Sequence, residues 1–179
     1  GQMIAAAGGF VSAPVHASVS GTVKGLEQRF SPAGTKVECI VIENDGEYQE
    51  AEYEPAKPLE EMSREELLEK IGNAGIVGMG GAGFPTRVKL SPKEPEKIDY
   101  IFANCAECEP LLKLHRQLLE KHAYEIMKTF HLVAETVGAS EAIIGIKKSY
   151  VQTVKALQQH IEEFPGMRIH LLDEVYPMG

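Results

Sequence analysis

The second half of the chain alternates short apolar runs with longer segments of helical spacing. Runs rich in apolar residues predict strands at residues 98–103, 142–146 and 168–172. Between these runs, apolar residues recur at spacings of three and four, which predicts amphipathic helices at residues 119–137 and 150–164. Strands separated by single helices imply βαβ crossovers, so we expect an α/β fold with a mostly parallel sheet and covering helices.

Capping residues predict where the helices begin and end, and the ends of the strands predict which edge of the sheet binds ligands. Gly138 is expected to end the first helix, and Ser149 with Gln152 has the spacing of a capping box at the start of the second. Ligands of parallel sheets bind beyond the carboxyl ends of strands. The segment that starts at Asn104 directly follows the first predicted strand, so we expect the binding site at this edge.

The first part of the chain has the period-two pattern of strands. Valine and alanine alternate with polar or small residues at 11–23, and residues 37–42 form a further apolar run. Glycines break this pattern into short pieces, which predicts a small β barrel-sandwich fragment over residues 1–55. A glutamate-rich stretch at 43–61 leads into the α/β domain, expected at 56–179, and a solvated linker is favoured over a docking surface.

Composition narrows the class of protein. The net charge of −8 argues against nucleic-acid binding, which needs an excess of lysine and arginine. No apolar stretch approaches the roughly 18 residues of a membrane span, and the N-terminus lacks the order of a signal peptide. We therefore expect a cytoplasmic globular protein.

A glycine-rich loop precedes the first predicted strand of the α/β domain. Its glycines remove nearby side chains, so backbone amides can approach a flat ring or a phosphate: Gly78, Gly80, Gly81 and Gly83. Lys89 then supplies a cation. The alternative from glycine content alone is a surface loop that merely connects two elements.

The loop is not expected to be a Rossmann site, although its letters match G-x-G-x-x-G. That fingerprint needs a strand before the first glycine and a helix opening at the third. Here a helix with the capping box Ser63 and Glu66 precedes the loop, and Phe84-Pro85 blocks a helix that would include Phe84.

The segment from Asn104 to Pro110 carries polar groups that suit ring edges and ribose hydroxyls. Asn104 offers an amide, and Glu107 and Glu109 offer carboxylates. Cys105 and Cys108 have the C-x-x-C spacing of zinc sites and thiol redox pairs. No second ligand pair accompanies them and no helix starts directly after them, so inert packing or close contact with a flavin is favoured over both a metal site and a thiol redox pair.

The two segments GMGGAGFPTRVKL and NCAECEP together resemble a flavoprotein family. This family includes the FMN- and NADH-binding subunit of respiratory complex I and the RnfC subunit of the Rnf electron-transport complex. AAAGGFVSAPVHASVSGTV and CIVIENDG resemble the N-terminal region of RnfC, so the resemblance covers nearly the whole chain. ANCAECEPLL and YPMG are also similar to the RnfC-like electron-transfer protein associated with proline reductase in anaerobic amino-acid fermenters.

The resemblance implies a role for each matching position. The four loop glycines would line the FMN, and Lys89 would contact the flavin. Asn104 and Glu107 would lie near the isoalloxazine and nicotinamide rings, with Glu107 as the catalytic residue and Glu109 as a second acidic residue of the same turn. Ala106 departs from the family, in which an aspartate commonly stands, so one contact to the flavin or nucleotide is missing or replaced.

The resemblance also implies that the chain is a fragment. The family has an earlier hairpin of the barrel-like domain, an acidic segment after YPMG that completes the flavin pocket, and later ubiquitin-like and iron–sulfur regions. Three cysteines cannot supply one four-thiolate cluster, so an iron–sulfur cluster is expected only in a C-terminal region outside this sequence. We expect weak or absent FMN binding and no activity from the fragment alone.

The expected function is that of an NADH-dependent oxidoreductase subunit. FMN would take a hydride from NADH, and electrons would pass to an iron–sulfur cluster, to other electron-transport subunits or to a partner reductase such as proline reductase. Peripheral association with the cytoplasmic face of a membrane complex is compatible with this role. Two alternatives stay open: a non-catalytic scaffold with a degenerate flavin site, and a lipoyl- or biotin-like carrier domain.

Overall fold

The computed structural model of the chain describes residues 1–53, 55, 57–79, 82–94, 98–109 and 111–179, without the side chain of residue 60. The chain divides into two compact units, Gly1–Lys89 and Leu90–Gly179. The domain boundary expected between residues 55 and 56 stays a prediction.

Two antiparallel strand pairs form the β part of the first unit. Strand β1 (Met3–Ala5) pairs with β2 (Val15–His16), and β3 (Gly21–Phe30) pairs with β4 (Lys36–Asn44) in a long hairpin. In the described part of the chain these pairs do not close a barrel. The predicted β barrel-sandwich fragment is confirmed in this open form.

The strand boundaries differ from the predicted ones because two glycines lie inside β3. A Cβ on Gly21 would collide with the carbonyl oxygen of Glu43 on the paired strand, so only glycine fits there. Gly25, with φ of 145°, lies at an irregularity in the register. These glycines allow close pairing and a bulge within one strand, whereas the sequence pattern predicted that they break it.

The helical part of the first unit begins where the capping signal predicts. A 3₁₀ turn at Leu59–Glu61 precedes α1 (Arg64–Asn73). The Ser63 hydroxyl accepts a hydrogen bond from the Glu66 amide, and the Glu66 carboxylate accepts one from the Ser63 amide, so the predicted capping box is confirmed. The short α2 (Thr86–Lys89) begins directly after Pro85.

The second unit contains a three-stranded parallel sheet. Its strands β5 (Tyr100–Asn104), β6 (Glu141–Lys147) and β7 (Met167–Leu172) lie in the order β5-β6-β7. The helices are α3 (Leu114–Lys121), α4 (Ala123–Val137) and α5 (Val151–Gln158), with a 3₁₀ turn at Ile161–Glu163 before β7. The predicted parallel sheet with covering helices is therefore confirmed.

Two details of the helix prediction are wrong. The long helix expected at 119–137 is two helices that break at His122, whose φ of −129° and ψ of 35° lie outside the helical region. Ser149 does not cap α5, because its hydroxyl hydrogen-bonds the carboxylate of Glu174 instead. The predicted stop at Gly138 is confirmed, since this residue adopts a left-handed conformation with φ of 77°.

The core of the second unit lies on the central strand β6 and the helices packed against it. Four side chains are almost completely buried: Met127, Ile146, Thr153 and Leu157. The unbroken apolar run of β6 follows from burial on both faces, as parallel sheets require. Among the described residues, no helix is both long and apolar enough to cross a bilayer.

Candidate functional site

The glycine-rich loop of the first unit is closed at its base by backbone hydrogen bonds. Val77 and Pro85 form an isolated antiparallel bridge. The Gly78 amide donates to the Phe84 carbonyl oxygen at 2.9 Å, and the Thr86 amide donates to the Ile76 carbonyl oxygen at 2.9 Å. The Gly78 N–H group is used within the loop, so Gly78 offers a ligand only a surface without a side chain.

The structure brings Gly78 and Lys89 together. The Lys89 Nζ atom lies 3.6 Å from the position that a Cβ on Gly78 would take. Gly83 has a positive φ of 64°, so its backbone needs glycine, and no atom of the described residues lies within 4 Å of its Cβ position. A side-chain-free surface beside an ammonium group fits a flat ring or a phosphate. The predicted contacts of Gly80 and Gly81 lie outside the described residues.

The turn after β5 in the second unit is folded by its own side chains. Asn104 is the last residue of β5, and its Oδ1 atom accepts the Ala106 amide at 3.1 Å. The Glu107 Oε1 atom accepts the Glu109 amide at 3.3 Å. Hydrogen bonds of this kind to a nearby backbone amide fix the direction of each side chain. Asn104, Glu107 and Glu109 are thus held in one turn at the predicted carboxyl edge of the sheet.

Glu107 also has two partners that the sequence pattern did not reveal. Its Oε2 atom lies 2.9 Å from the Nδ1 atom of His115, at the start of α3. The Tyr150 hydroxyl donates to the Glu107 carbonyl oxygen at 3.2 Å. The Glu107 side chain is only 13% exposed, whereas the His115 ring is 68% exposed. The acidic residue is buried against a histidine that faces solvent.

Basic side chains lie beside Tyr150. The Arg116 guanidinium lies 4.3 Å from the centre of the Tyr150 ring, in the geometry of a cation–π contact. Lys147, at the carboxyl end of β6, is buried, and its Nζ atom lies 3.5 Å from the Glu174 carboxylate. A hydrogen bond from Ser149, assisted by Lys147 and Arg116, lowers the pKa of Glu174, which therefore stays ionised at neutral pH.

The cysteines of the turn are reduced and differ in environment. Burial raises the pKa of the Cys105 thiol to about 11, so this thiol stays protonated at neutral pH. The Cys108 sulfur accepts a hydrogen bond from the Gly179 amide at 3.2 Å. In the ranges that the structure describes, no group of three or more histidine, cysteine or carboxylate side chains is placed to hold a metal ion.

Ala106, which stands where the family that the chain resembles commonly has an aspartate, is buried. Its exposed fraction is 6%. A Cβ on Gly179 would collide with the Ala106 carbonyl oxygen, so residue 179 packs closely on the turn. An aspartate at this position would need a partner for its carboxylate, whereas alanine needs none.

Comparison with known proteins identifies the domain class of each part of the chain. Residues 71–179 match the Nuo51 FMN-binding domain, and residues 1–47 match the RnfC barrel sandwich hybrid domain. The chain belongs to the family of RnfC and complex I FMN-binding flavoprotein subunits.

Curated relatives support this assignment along the whole chain. The chain is 37% identical to the C subunit of the Na(+)-translocating ferredoxin:NAD(+) oxidoreductase complex of Acetobacterium woodii, over 100% of this chain and 41% of the relative. It is 34% identical to the C subunit of the proton-translocating ferredoxin:NAD(+) oxidoreductase complex of Clostridium ljungdahlii, over 100% of this chain and 39% of the relative. It is 36% identical to the C subunit of an ion-translocating oxidoreductase complex of Vibrio cholerae, over 93% of this chain and 22% of the relative. The chain thus spans less than half the length of these relatives.

Proposed function

We propose that the chain supplies FMN-binding residues to an electron-transfer subunit that oxidises NADH. When bound, FMN would supply hydride chemistry: NADH would leave as NAD+, two electrons would pass to an iron–sulfur cluster or a partner reductase, and the proton of the hydride would be released to solvent. The observation that carries this proposal is the Lys89 ammonium beside side-chain-free Gly78 in a chain of an FMN-binding family.

The glycine-rich loop is proposed to hold the flavin by shape and charge. Gly78 and Gly83, with Gly80 and Gly81, give the ligand access to the backbone. Lys89 is exposed at the end of α2, and a lysine acts as a compact positive charge. We propose that it stabilises negative charge on the cofactor, which lowers the free energy of the reduced state.

The turn after β5 is proposed to orient the rings and the nucleotide. The Asn104 side chain uses its oxygen within the turn, and its NH2 group remains at an exposed position to donate to a ring edge. Glu107 and Glu109 are proposed to orient NADH. Their negative charge would also repel an anionic reduced flavin and lower its reduction potential.

The wider assembly follows from the relatives and is proposed by analogy. Their names place them in ion-translocating complexes, two of which are ferredoxin:NAD(+) oxidoreductases. We propose that this chain likewise works with other electron-transport subunits, at the cytoplasmic face of a membrane complex, with iron–sulfur clusters carried elsewhere in the full-length protein. A proline reductase is the alternative electron acceptor.

One observation favours a second candidate function, that of a scaffold with a degenerate flavin site. The turn satisfies much of its own hydrogen bonding, since Asn104 and Glu107 both accept backbone amides. It could therefore keep its shape without a ligand. The carrier alternative receives no such support, because Lys24 lies within β3 and pairs with Glu43, away from the hairpin tip.

Titration of FMN and then NADH separates the flavoprotein from the scaffold. The full-length protein is used, because the relatives are more than twice as long as this chain. We expect FMN to bind and NADH to bleach the flavin absorbance under anaerobic conditions. If full-length protein of native fold binds no FMN, the flavoprotein function is refuted and the scaffold remains.

Glu107→Gln then tests the role of the buried carboxylate. Removing its negative charge should raise the flavin reduction potential and change the rate of NADH oxidation. Glu162→Gln is a matched control, since Glu162 is an exposed glutamate in the 3₁₀ turn before β7. Unaltered kinetics and potential in Glu107→Gln would remove Glu107 from the site.

A further inference from the structure

The Glu107 carboxylate is held on both oxygens by groups of different origin. The Glu109 amide, which belongs to the same turn, contacts Oε1 at 3.3 Å. His115 contacts Oε2 at the shorter distance of 2.9 Å and comes from α3, a separate element. The histidine is thus the nearer of the two contacts on this carboxylate, and it is the one that comes from another element.

We propose that His115 is a positioning residue for Glu107, and that it acts on the flavin and nicotinamide rings through this carboxylate. This inference rests on the proposed function. His115 itself needs no contact with a ligand, because its effect is to restrict the rotamers of Glu107 and to hold Oε2 in one place. Such supporting contacts decide how accurately a buried polar group meets its ligand.

The proposal requires one state of the His115 ring. An ionised carboxylate can only accept hydrogen bonds, so positioning of Glu107 through Nδ1 requires a hydrogen on that atom. The ring is therefore either the neutral Nδ1–H tautomer or the doubly protonated form. This state is a property of the ligand-free protein, and it can be measured without any cofactor.

Two other histidine–carboxylate pairs in the second unit show what distinguishes this one. His160 pairs with Glu163 at 2.7 Å and His131 pairs with Glu135 at 3.5 Å, both between near neighbours along the chain. Such pairs support local helical structure. The pair of His115 with Glu107 instead joins α3 to the turn that carries the proposed site residues.

Two substitutions at position 115 separate positioning from helix stability. His115→Ala removes the donor, whereas His115→Asn places an amide N–H group at nearly the position of Nδ1. Alanine is the better helix former. If His115 only stabilised the helix, His115→Ala should therefore keep function better than His115→Asn. If His115 positions Glu107, His115→Asn should keep function better than His115→Ala. The exposed ring makes a folding failure in either variant unexpected.

We expect His115→Ala to slow flavin reduction and His115→Asn to restore the rate. A single polar contact from a largely exposed ring is modest, so we expect flavin reduction by saturating NADH to slow by about two- to fivefold in His115→Ala. The flavin potential should shift in the same variant. His160→Ala is the matched control, because it removes a pair of similar geometry from outside the turn and should leave both readouts unchanged.

Nitrogen-15 NMR of histidine-labelled, flavin-free protein gives the independent readout. The His115 signals should report a protonated Nδ1 atom in the wild type and should lose that signature in Glu107→Ala. Two outcomes would overturn this inference and leave the proposed function standing. The first is an equal rate of flavin reduction and an equal flavin potential in FMN-bound wild type, His115→Ala and His115→Asn. The second is an Nδ1 atom without a proton in the wild type. A wild-type protein that binds no FMN would overturn the proposed function and this inference with it.

Discussion

Replacement of Gly78 by alanine should abolish the fit to FMN without harming the fold. Gly78 has no positive φ, and the nearest atoms to an added Cβ are Lys89 Nζ at 3.6 Å and Phe84 backbone atoms at 3.8 and 3.9 Å. These are ordinary van der Waals contacts. Because a Gly→Ala change at a compatible position restricts the unfolded chain, the free energy of unfolding should stay level or rise by about 0.5 kcal/mol.

The same methyl group would stand between the loop surface and the ligand, next to the Lys89 ammonium. We expect FMN affinity to fall by about tenfold or more, which corresponds to about 1.4 kcal/mol. Gly83→Ala is the contrasting variant, because its φ of 64° lies in the left-handed region and its Cβ would meet no atom of the described residues within 4 Å. Backbone strain should cost it about 1 kcal/mol of stability.

Urea unfolding followed by circular dichroism measures the stability of both variants, and FMN titration of the full-length protein measures their affinity. Wild-type FMN affinity in a folded Gly78→Ala variant would show that Gly78 does not face the flavin. Destabilisation of Gly78→Ala by more than about 1 kcal/mol would show that the loop is packed more tightly at this point than its described contacts allow.

Three further substitutions or conditions test the packing and chemistry of the two units. Ser63→Ala should destabilise the first unit by about 1 kcal/mol, because it removes the N-terminal cap of α1, and thermal unfolding measures this. Thr153→Val should cost about 1 kcal/mol in urea unfolding, since the fully buried hydroxyl donates to Glu120 at 2.8 Å; an unchanged midpoint would show that this bond adds nothing. Burial raises the pKa of the Cys105 thiol from 9.0 to about 11. The protonated thiol therefore contributes in full to the free energy of unfolding below pH 9, and this contribution is lost as the pH rises from 9 to 11. Alkylation mapped by mass spectrometry should leave Cys105 unmodified in the folded protein at pH 8.

Local signals in the sequence predicted several helix ends and the order of the parallel sheet. Ser63 and Glu66 predict the start of α1, and Gly138 predicts the end of α4, because capping depends on neighbouring residues alone. The parallel order of β5, β6 and β7 follows from single helices between apolar runs. In contrast, Ser149 has the spacing of a cap but bonds Glu174 beyond β7, and only tertiary structure decides between the two partners.

The residue types of the candidate site could be predicted from the sequence, but the contact partners of those residues could not. The turn residues could be placed at the carboxyl edge of the sheet, because parallel strands end there. The contact of Glu107 with His115 could not be predicted, since the intervening turn has no regular period that would bring the two residues together. The close approach of Gly179 to the Ala106 carbonyl oxygen could not be predicted either, since residue 179 lies far along the chain.

The internal hydrogen bonds of the turn also refine which groups can meet a ligand directly. Asn104 uses Oδ1 for the Ala106 amide, so its NH2 group is the part left to donate outward. Glu109 is exposed and, within the described residues, its hydrogen bonds in the turn use its backbone amide and its carbonyl oxygen, so its carboxylate can accept from a ribose hydroxyl. Glu107 is mostly buried and has one partner on each oxygen, so it can act on a ligand only through its remaining lone pairs and its charge. Because the Asn104 and Glu107 side chains are held before a ligand arrives, the turn should lose little conformational entropy on binding, which favours a site that holds a flat ring in one orientation.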